Sequence, residues 1–233
     1  LKIIFENAPG EIVAYTDDDV FHLPGWLGTH LEIIDTFPDV GAVTGFYIRQ
    51  RVAMSSETTV AFADQPEIET RRGLLMPRKW EEEYVINTGR SWERYQSEVD
   101  GIEDIIVAYQ GVEAWVSAHH FQMVCPKAVV QAVLEDMLPE GWSDRIMGRM
   151  VELDDRMDAK GYLRLCTREQ TMRLMGNAIS KEVAALADHY GLQADAAKTD
   201  QASKGWMHRF AQVKWVRYVL QGIVNRVYRW LQE

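Results

Sequence analysis

No uninterrupted apolar run in this chain approaches the roughly eighteen residues that a membrane span needs, so nothing in it reads as a transmembrane helix. Cysteine is scarce as well: Cys125 and Cys166 are the only two in 233 residues, which is too few for a disulfide framework. Both lie in apolar, strand-like stretches, and the expectation is buried free thiols in a reducing compartment. No Cys/His pair has the spacing of zinc ligands, and no internal repeat is visible. Basic residues are outnumbered, with 25 Lys and Arg against 35 Asp and Glu and a net charge of −10. That deficit argues against nucleic acid as a partner, because neutralising phosphates takes clustered Lys and Arg. The cations present are unevenly placed. Residues 204–233 hold six of them against the single Glu233, a net of +5, so the remaining residues carry −15.

What is present is a chain with 47% hydrophobic residues, long enough for one large core or two small ones. Leu1-Lys2-Ile3-Ile4-Phe5 reads as the end of an amphipathic helix. Residues 11–16 read as a buried strand, and residues 24–37 as a helix with Trp26, Leu27, Leu31, Ile34 and Phe37 at helical spacing. Residues 41–48 read as the next strand. From Arg49 to Gln110 the pattern is ragged, with a short helix expected around Trp80–Ile86; so long an irregular stretch suggests a functional insertion. Strands are expected at 112–118 and 121–124, a helix after Pro126, a polar helix from about Ser143 to Lys160 closed by Gly161, and a strand at 162–166. Alternating helices and strands place residues 1–178 in the α/β class. A helix at 182–189, a linker at 194–205 and a long amphipathic helix at 206–231 follow. The domain reading is therefore 1–178, then a helix and linker over 179–203, then a basic amphipathic helix over 204–233.

The densest chemistry is Thr16-Asp17-Asp18-Asp19-Val20. An apolar strand that ends in carboxylates delivers them to a sheet edge, where α/β proteins place ligands. If the backbone stays extended, Asp17 and Asp19 share a target that Asp18 faces away from. Hard oxygen ligands of this kind suit Mg²⁺ or Mn²⁺, ions often held by one or two carboxylates plus substrate phosphates. An acidic turn with Asp19 capping the next helix is the plain alternative. A phosphatase motif with Thr or Val five residues into the run is excluded, since that position is Phe21.

The flanks carry a resemblance. Glu6-Asn7-Ala8-Pro9-Gly10-Glu11-Ile12-Val13-Ala14-Tyr15-Thr16-Asp17-Asp18-Asp19-Val20, then Pro24-Gly25-Trp26-Leu27, then Phe37-Pro38-Asp39-Val40-Gly41-Ala42-Val43-Thr44-Gly45 together resemble the middle of a family 2 glycosyltransferase of the GT-A fold. The match is dense over residues 6–46 and thinner beyond. It implies a partial GT-A domain, a Rossmann-like mixed sheet with flanking helices, followed by C-terminal amphipathic helices. It also implies that the chain lacks the first strand and the base-gripping loop of a complete domain. By the resemblance, Asp17 and Asp19 bind the metal, and Asp17, Asp18 and Asp19 form the donor-binding set for a nucleotide diphosphate-sugar. The acceptor is a saccharide or a lipid-linked sugar.

An inverting transfer also needs a carboxylate to take the acceptor's proton. The family places it in an acidic stretch ahead of a Gly-Tyr, which corresponds here to Val151-Glu152-Leu153-Asp154-Asp155-Arg156-Met157-Asp158 before Gly161-Tyr162. The family's Glu-Asp pair does not fall in register, since Arg149 and Met150 occupy those positions. Asp154 is the first choice for the base, then Asp155 and Glu152; ion pairs such as Glu152–Arg156 on a solvated helix face are the alternative. The family's late histidine has no counterpart in Thr171-Met172-Arg173-Leu174-Met175-Gly176-Asn177, where Arg173 is a candidate contact for the diphosphate. Of the adjacent His119 and His120, at most one can look into the cleft. Trp80, Trp92, Trp115 and Trp142 are candidates for a sugar-stacking platform or for the core. The basic, Trp- and Tyr-rich tail has the composition of an interfacial helix, with a helix docked on the catalytic domain and its charges in solvent as the alternative; the expected location is cytoplasmic, peripheral on the inner face of the cell membrane. A non-catalytic, membrane-associated or carbohydrate-binding protein with a degenerate GT-A fold is the rival reading, and a metal-dependent nucleotidyltransferase a third.

Overall fold

The computed structural model describes residues 5, 7–49, 55–135, 148–176 and 181–191. The chain divides into two compact units, residues 1–176 and 177–233. In the first, a seven-stranded mixed sheet has the order β1-β7-β3-β8-β6-β5-β4. Its strands are β1 (Ile12–Thr16), β3 (Val40–Thr44), β4 (Glu69–Gly73), β5 (Asp104–Tyr109), β6 (Val112–Val116), β7 (Gln122–Pro126) and β8 (Leu163–Thr167). β3 and β8 run parallel, and the remaining neighbours are antiparallel. A separate two-stranded ladder joins β2 (Val20–His22) to β9 (Met172–Leu174). The α/β expectation is met at this level. In the second unit the described element is the helix Lys181–His189.

Strand periodicity sorts the core into two faces. On one face Val43, Leu163, Leu165, Ala114 and Val116 meet Ile33 and Phe37, at the end of helix α1 (Trp26–Thr36), and Phe62 and Ala63 of α2 (Glu57–Ala63). On the other, Val13, Ala42, Met123 and Cys125 meet Val130, Val133 and Leu134 of α5 (Lys127–Leu134) and Leu153 and Met157 of α6 (Gly148–Ala159). Farther along that second face Tyr47 stacks on Trp115 with ring centroids 4.4 Å apart. Both cysteines are buried and free, and burial pushes each thiol up to about 12.

Several element boundaries differ from the sequence expectation for physical reasons. α1 begins at Trp26 rather than Pro24, because Gly25 takes a left-handed φ of 79° that a helix cannot include. Its buried positions are His30 and Ile33, while Leu27 is exposed. The third strand stops at Thr44, and Phe46, Tyr47 and Ile48 are buried without joining a ladder. The largest correction concerns residues 49–110. Apart from the undescribed 50–54, this stretch is built of regular elements: α2, β4, α3 (Arg78–Thr88), α4 (Trp92–Val99) and β5. The start of the polar helix, the linker at 194–205 and the helix at 206–231 lie outside the described residues.

Candidate functional site

β1, β3 and β8 point the same way, so the segments that leave their C-terminal ends gather at one edge of the sheet. Asp17 is the first residue past β1. Its amide donates to Phe121 O at 2.8 Å, which ties it to the segment entering β7. The Tyr15 hydroxyl, two residues back on the same strand face, donates to Asp17 Oδ1 at 2.9 Å. Burial, reinforced by the Asp17 carboxylate, pushes the Tyr15 phenol up to about 12. Asp17 is raised above the ordinary carboxylate range, first by partial burial and then by the nearby charges of Asp19 and Asp18; the Tyr15 hydroxyl and His120 oppose the rise. The strand ends at Thr16, so the extended alternation expected across the triplet does not hold. Asp18 and Asp19 form a turn and both are exposed. The turn is pinned from the far side by Met175 N donating to Asp19 O at 2.8 Å.

Asp17 and Asp19 repel each other closely enough to shift Asp17, and a divalent cation would relieve that repulsion. Among the described residues no group of three or more His, Cys, Asp or Glu side chains converges on one point. Two carboxylates at one turn are short of an all-protein cage, so a cation there would need further oxygens from a bound phosphate.

Behind the triplet lies a buried charge cluster. Residues 117–121 cross from β6 past β8 and β3 to reach β7, and they place the two adjacent histidines differently. His119 Nε2 donates to Phe46 O at 2.6 Å, and its Nδ1 accepts from Phe121 N at 3.2 Å. It is neutral, and burial pushes it down to about 3. His120 Nδ1 lies 3.0 Å from Asp154 Oδ2. Asp154 is 2% exposed, and its other oxygen lies 2.6 Å from Nη2 of Arg164, which is wholly buried in β8. The same guanidinium donates to Ala118 O and to Ser55 O, each at 2.8 Å. Burial lowers Arg164, while Asp154, Asp158 and Asp155 resist.

The remaining expected site residues that are described are engaged with other partners. Glu152 faces Arg156 at 3.8 Å, the i,i+4 pair of a helix surface. Asp155 is exposed and accepts from the Ser55 hydroxyl. Arg173 is close in backbone terms, since β9 pairs with the strand that follows Asp19, but its Nε donates to the buried carboxylate of Glu83 at 2.6 Å. Its charge is already answered, which weighs against a diphosphate contact. Trp115 is core, and Trp92 lies under the Arg78 guanidinium at 3.5 Å. Trp80 packs edge-on against Trp115, and Trp142 lies outside the described residues.

Gly45 shows why the edge has its shape. A side chain there would meet Thr171 Oγ1 at 2.3 Å and the His30 ring at 3.1 Å. Its amide donates to Gln122 Oε1 at 2.9 Å, and the Gln122 amide group also meets His30 Nε2. A shallow depression of about 300 Å³ lined by Asp39, Thr58, Gln65 and Gly161 lies at the opposite edge, where β3 and β8 begin. Asp39 is the one titratable side chain among its lining residues. Arg164 and Tyr15 were missed as site residues in the sequence. A charge inside the apolar strand 162–166 requires a buried partner, and that was the available signal.

Compared with protein-family models, with curated proteins and with solved structures, the chain matches none.

Proposed function

We propose that this chain belongs to a metal-dependent inverting glycosyltransferase of the GT-A type. It would move a sugar from a nucleotide diphosphate-sugar to a saccharide or lipid-linked acceptor. The observation that carries the reading is the placement of the triplet. Asp17 and Asp19 stand just past a strand end, electrostatically coupled, next to a segment that holds His120 against a carboxylate of α6. Asp17 and Asp19 would hold Mg²⁺ or Mn²⁺, and Asp18 lies with them at the donor. When bound, the ion supplies charge stabilisation for the departing diphosphate.

This chain's own residues do the rest. Tyr15 orients Asp17, and the backbone bonds from Asp17 N to Phe121 O and from Met175 N to Asp19 O fix both ends of the acidic turn. Gly45, by lacking a side chain, allows residues 45–49 and Thr171 to close on the edge. The missing Glu-Asp register and late histidine are what a non-catalytic, degenerate relative would also have. The two readings separate on one experiment. With full-length protein, Mn²⁺ binding followed by electron paramagnetic resonance should be strong in the wild type and weakened in Asp19→Asn. Release of nucleoside diphosphate should fall at least about 100-fold, the loss expected when a charge-stabilising group is removed. Wild-type turnover by Asp19→Asn would remove the assignment, and cation binding with no turnover would favour the non-catalytic relative.

A further inference from the structure

Among the described residues at this edge, His120 is the histidine whose ring is held by a buried carboxylate. Resting on the sugar-transfer reading above, we infer that His120, rather than a carboxylate of α6, takes the proton from the acceptor hydroxyl, with Asp154 as the residue that positions its ring. The carboxylates of α6 are poorly placed for the task. Asp154 is buried, with Arg164 on one oxygen and His120 on the other. Glu152 faces Arg156, and Asp155 is bound to Ser55.

His120 is placed differently. Asp154 Oδ2 is an acceptor, so Nδ1 is the ring nitrogen that donates, directed at Asp154. That leaves Nε2 as the nitrogen available to an acceptor hydroxyl, and it makes no hydrogen bond among the described residues. A carboxylate that fixes the tautomer of an imidazole and stabilises its cation is an established device for proton transfer. Phe121, the next residue, accepts from Asp17 N at 2.8 Å, which brings the segment carrying His120 to the triplet, yet no three-ligand group forms with Asp17 and Asp19 among the described residues. His120 therefore stands beside the cation site rather than in it. His119 cannot substitute, because it is fully buried with both nitrogens engaged.

The step balances. The acceptor oxygen forms its bond to the anomeric carbon as the bond from that carbon to the diphosphate oxygen breaks. The nucleoside diphosphate leaves with the bonding pair, and the hydroxyl proton passes to Nε2.

The test uses full-length protein, Mn²⁺, and UDP-, GDP-, dTDP- and ADP-sugars with mono- and oligosaccharide acceptors, reading release of the nucleoside diphosphate. His120→Gly should keep Mn²⁺ affinity and lose about 100-fold or more in turnover, and added imidazole should restore part of it. Nitrogen NMR of labelled histidine should show the Nδ1–H tautomer for His120, altered in Asp154→Asn. Wild-type turnover by His120→Gly beside an inactive Asp19→Asn overturns this inference alone. A loss that imidazole does not restore also overturns it, and so does a loss accompanied by weakened Mn²⁺ binding. No release by the wild type from any donor overturns the sugar-transfer reading, and this inference with it.

Discussion

Burying the guanidinium of Arg164 in the middle of a strand costs several kcal/mol, offset only if a charge and good acceptors meet it there. Asp154 supplies the charge, and two backbone carbonyls supply acceptors. Removing the carboxylate while keeping the cation should therefore be severe. Asp154→Leu is expected to lose about 3–5 kcal/mol in urea unfolding, and replacing Arg164 by Met in the same protein should recover much of it. Equal stability of Asp154→Leu and wild type would mean that water reaches the pair. His119 gives a pH signature. Its folded value, about 3, lies below the ordinary 6.5, so an unfolded chain binds the proton first. Its stability contribution is complete above about 6.5 and declines as pH falls from there towards 3. The unfolding midpoint should drop between pH 7 and pH 5, and His119→Gln should flatten that part of the profile. An unchanged slope in the variant would assign the acid sensitivity to other groups.

Among the elements, the legible ones were those with a strong apolar signal. β1, β3, β7 and α5 were anticipated because their residues are apolar and bounded by Pro or Gly. Within 57–104 the helix expected around Trp80–Ile86 is present as α3, but the other elements were not anticipated, for a physical reason. β4 is an edge strand reading Glu-Thr-Arg-Arg-Gly, and its exposed arginines pair with Asp64 and Glu113 instead of marking a core. α4 buries only Tyr95, too little for periodicity to register. β2 and β9 are three residues each and stand only by pairing with one another. The candidate site divided in the same way. The aspartates and the histidine pair were visible as residue types, whereas the Asp154–Arg164–His120 cluster joins three distant segments and only the fold assembles it. α4 offers a test of local structure. The Ser91 hydroxyl accepts from Arg94 N at 3.2 Å as the N-cap. Ser91→Ala should cost about 1 kcal/mol, with donor turnover unchanged; a loss of turnover would tie α4 to the site.

At the scale of the whole molecule the question is what the charge asymmetry does. The described residues contain no helix long and apolar enough to cross a membrane, and residues 204–233 lie outside them. The sequence there interleaves six cations with Trp206, Phe210, Trp215, Tyr218, Tyr228 and Trp230, while the remainder of the chain carries −15. On the sugar-transfer proposal a lipid-linked acceptor would place the reaction at a bilayer surface, and a tail of this composition would hold the protein there. Each Lys or Arg near an anionic surface contributes about 1 kcal/mol and is screened by salt. Buried aromatics add a part that salt does not remove. The acidic remainder would be repelled by the same surface, so the tail must act as a separate contact. Vesicles of mixed neutral and anionic lipid should sediment the full-length protein at low salt and retain a fraction of it at high salt. A version ending at Ser203 should stay in the supernatant. Equal recovery of the two would show that the tail packs elsewhere in the protein, and retention that vanishes entirely at high salt would assign the contact to charge alone.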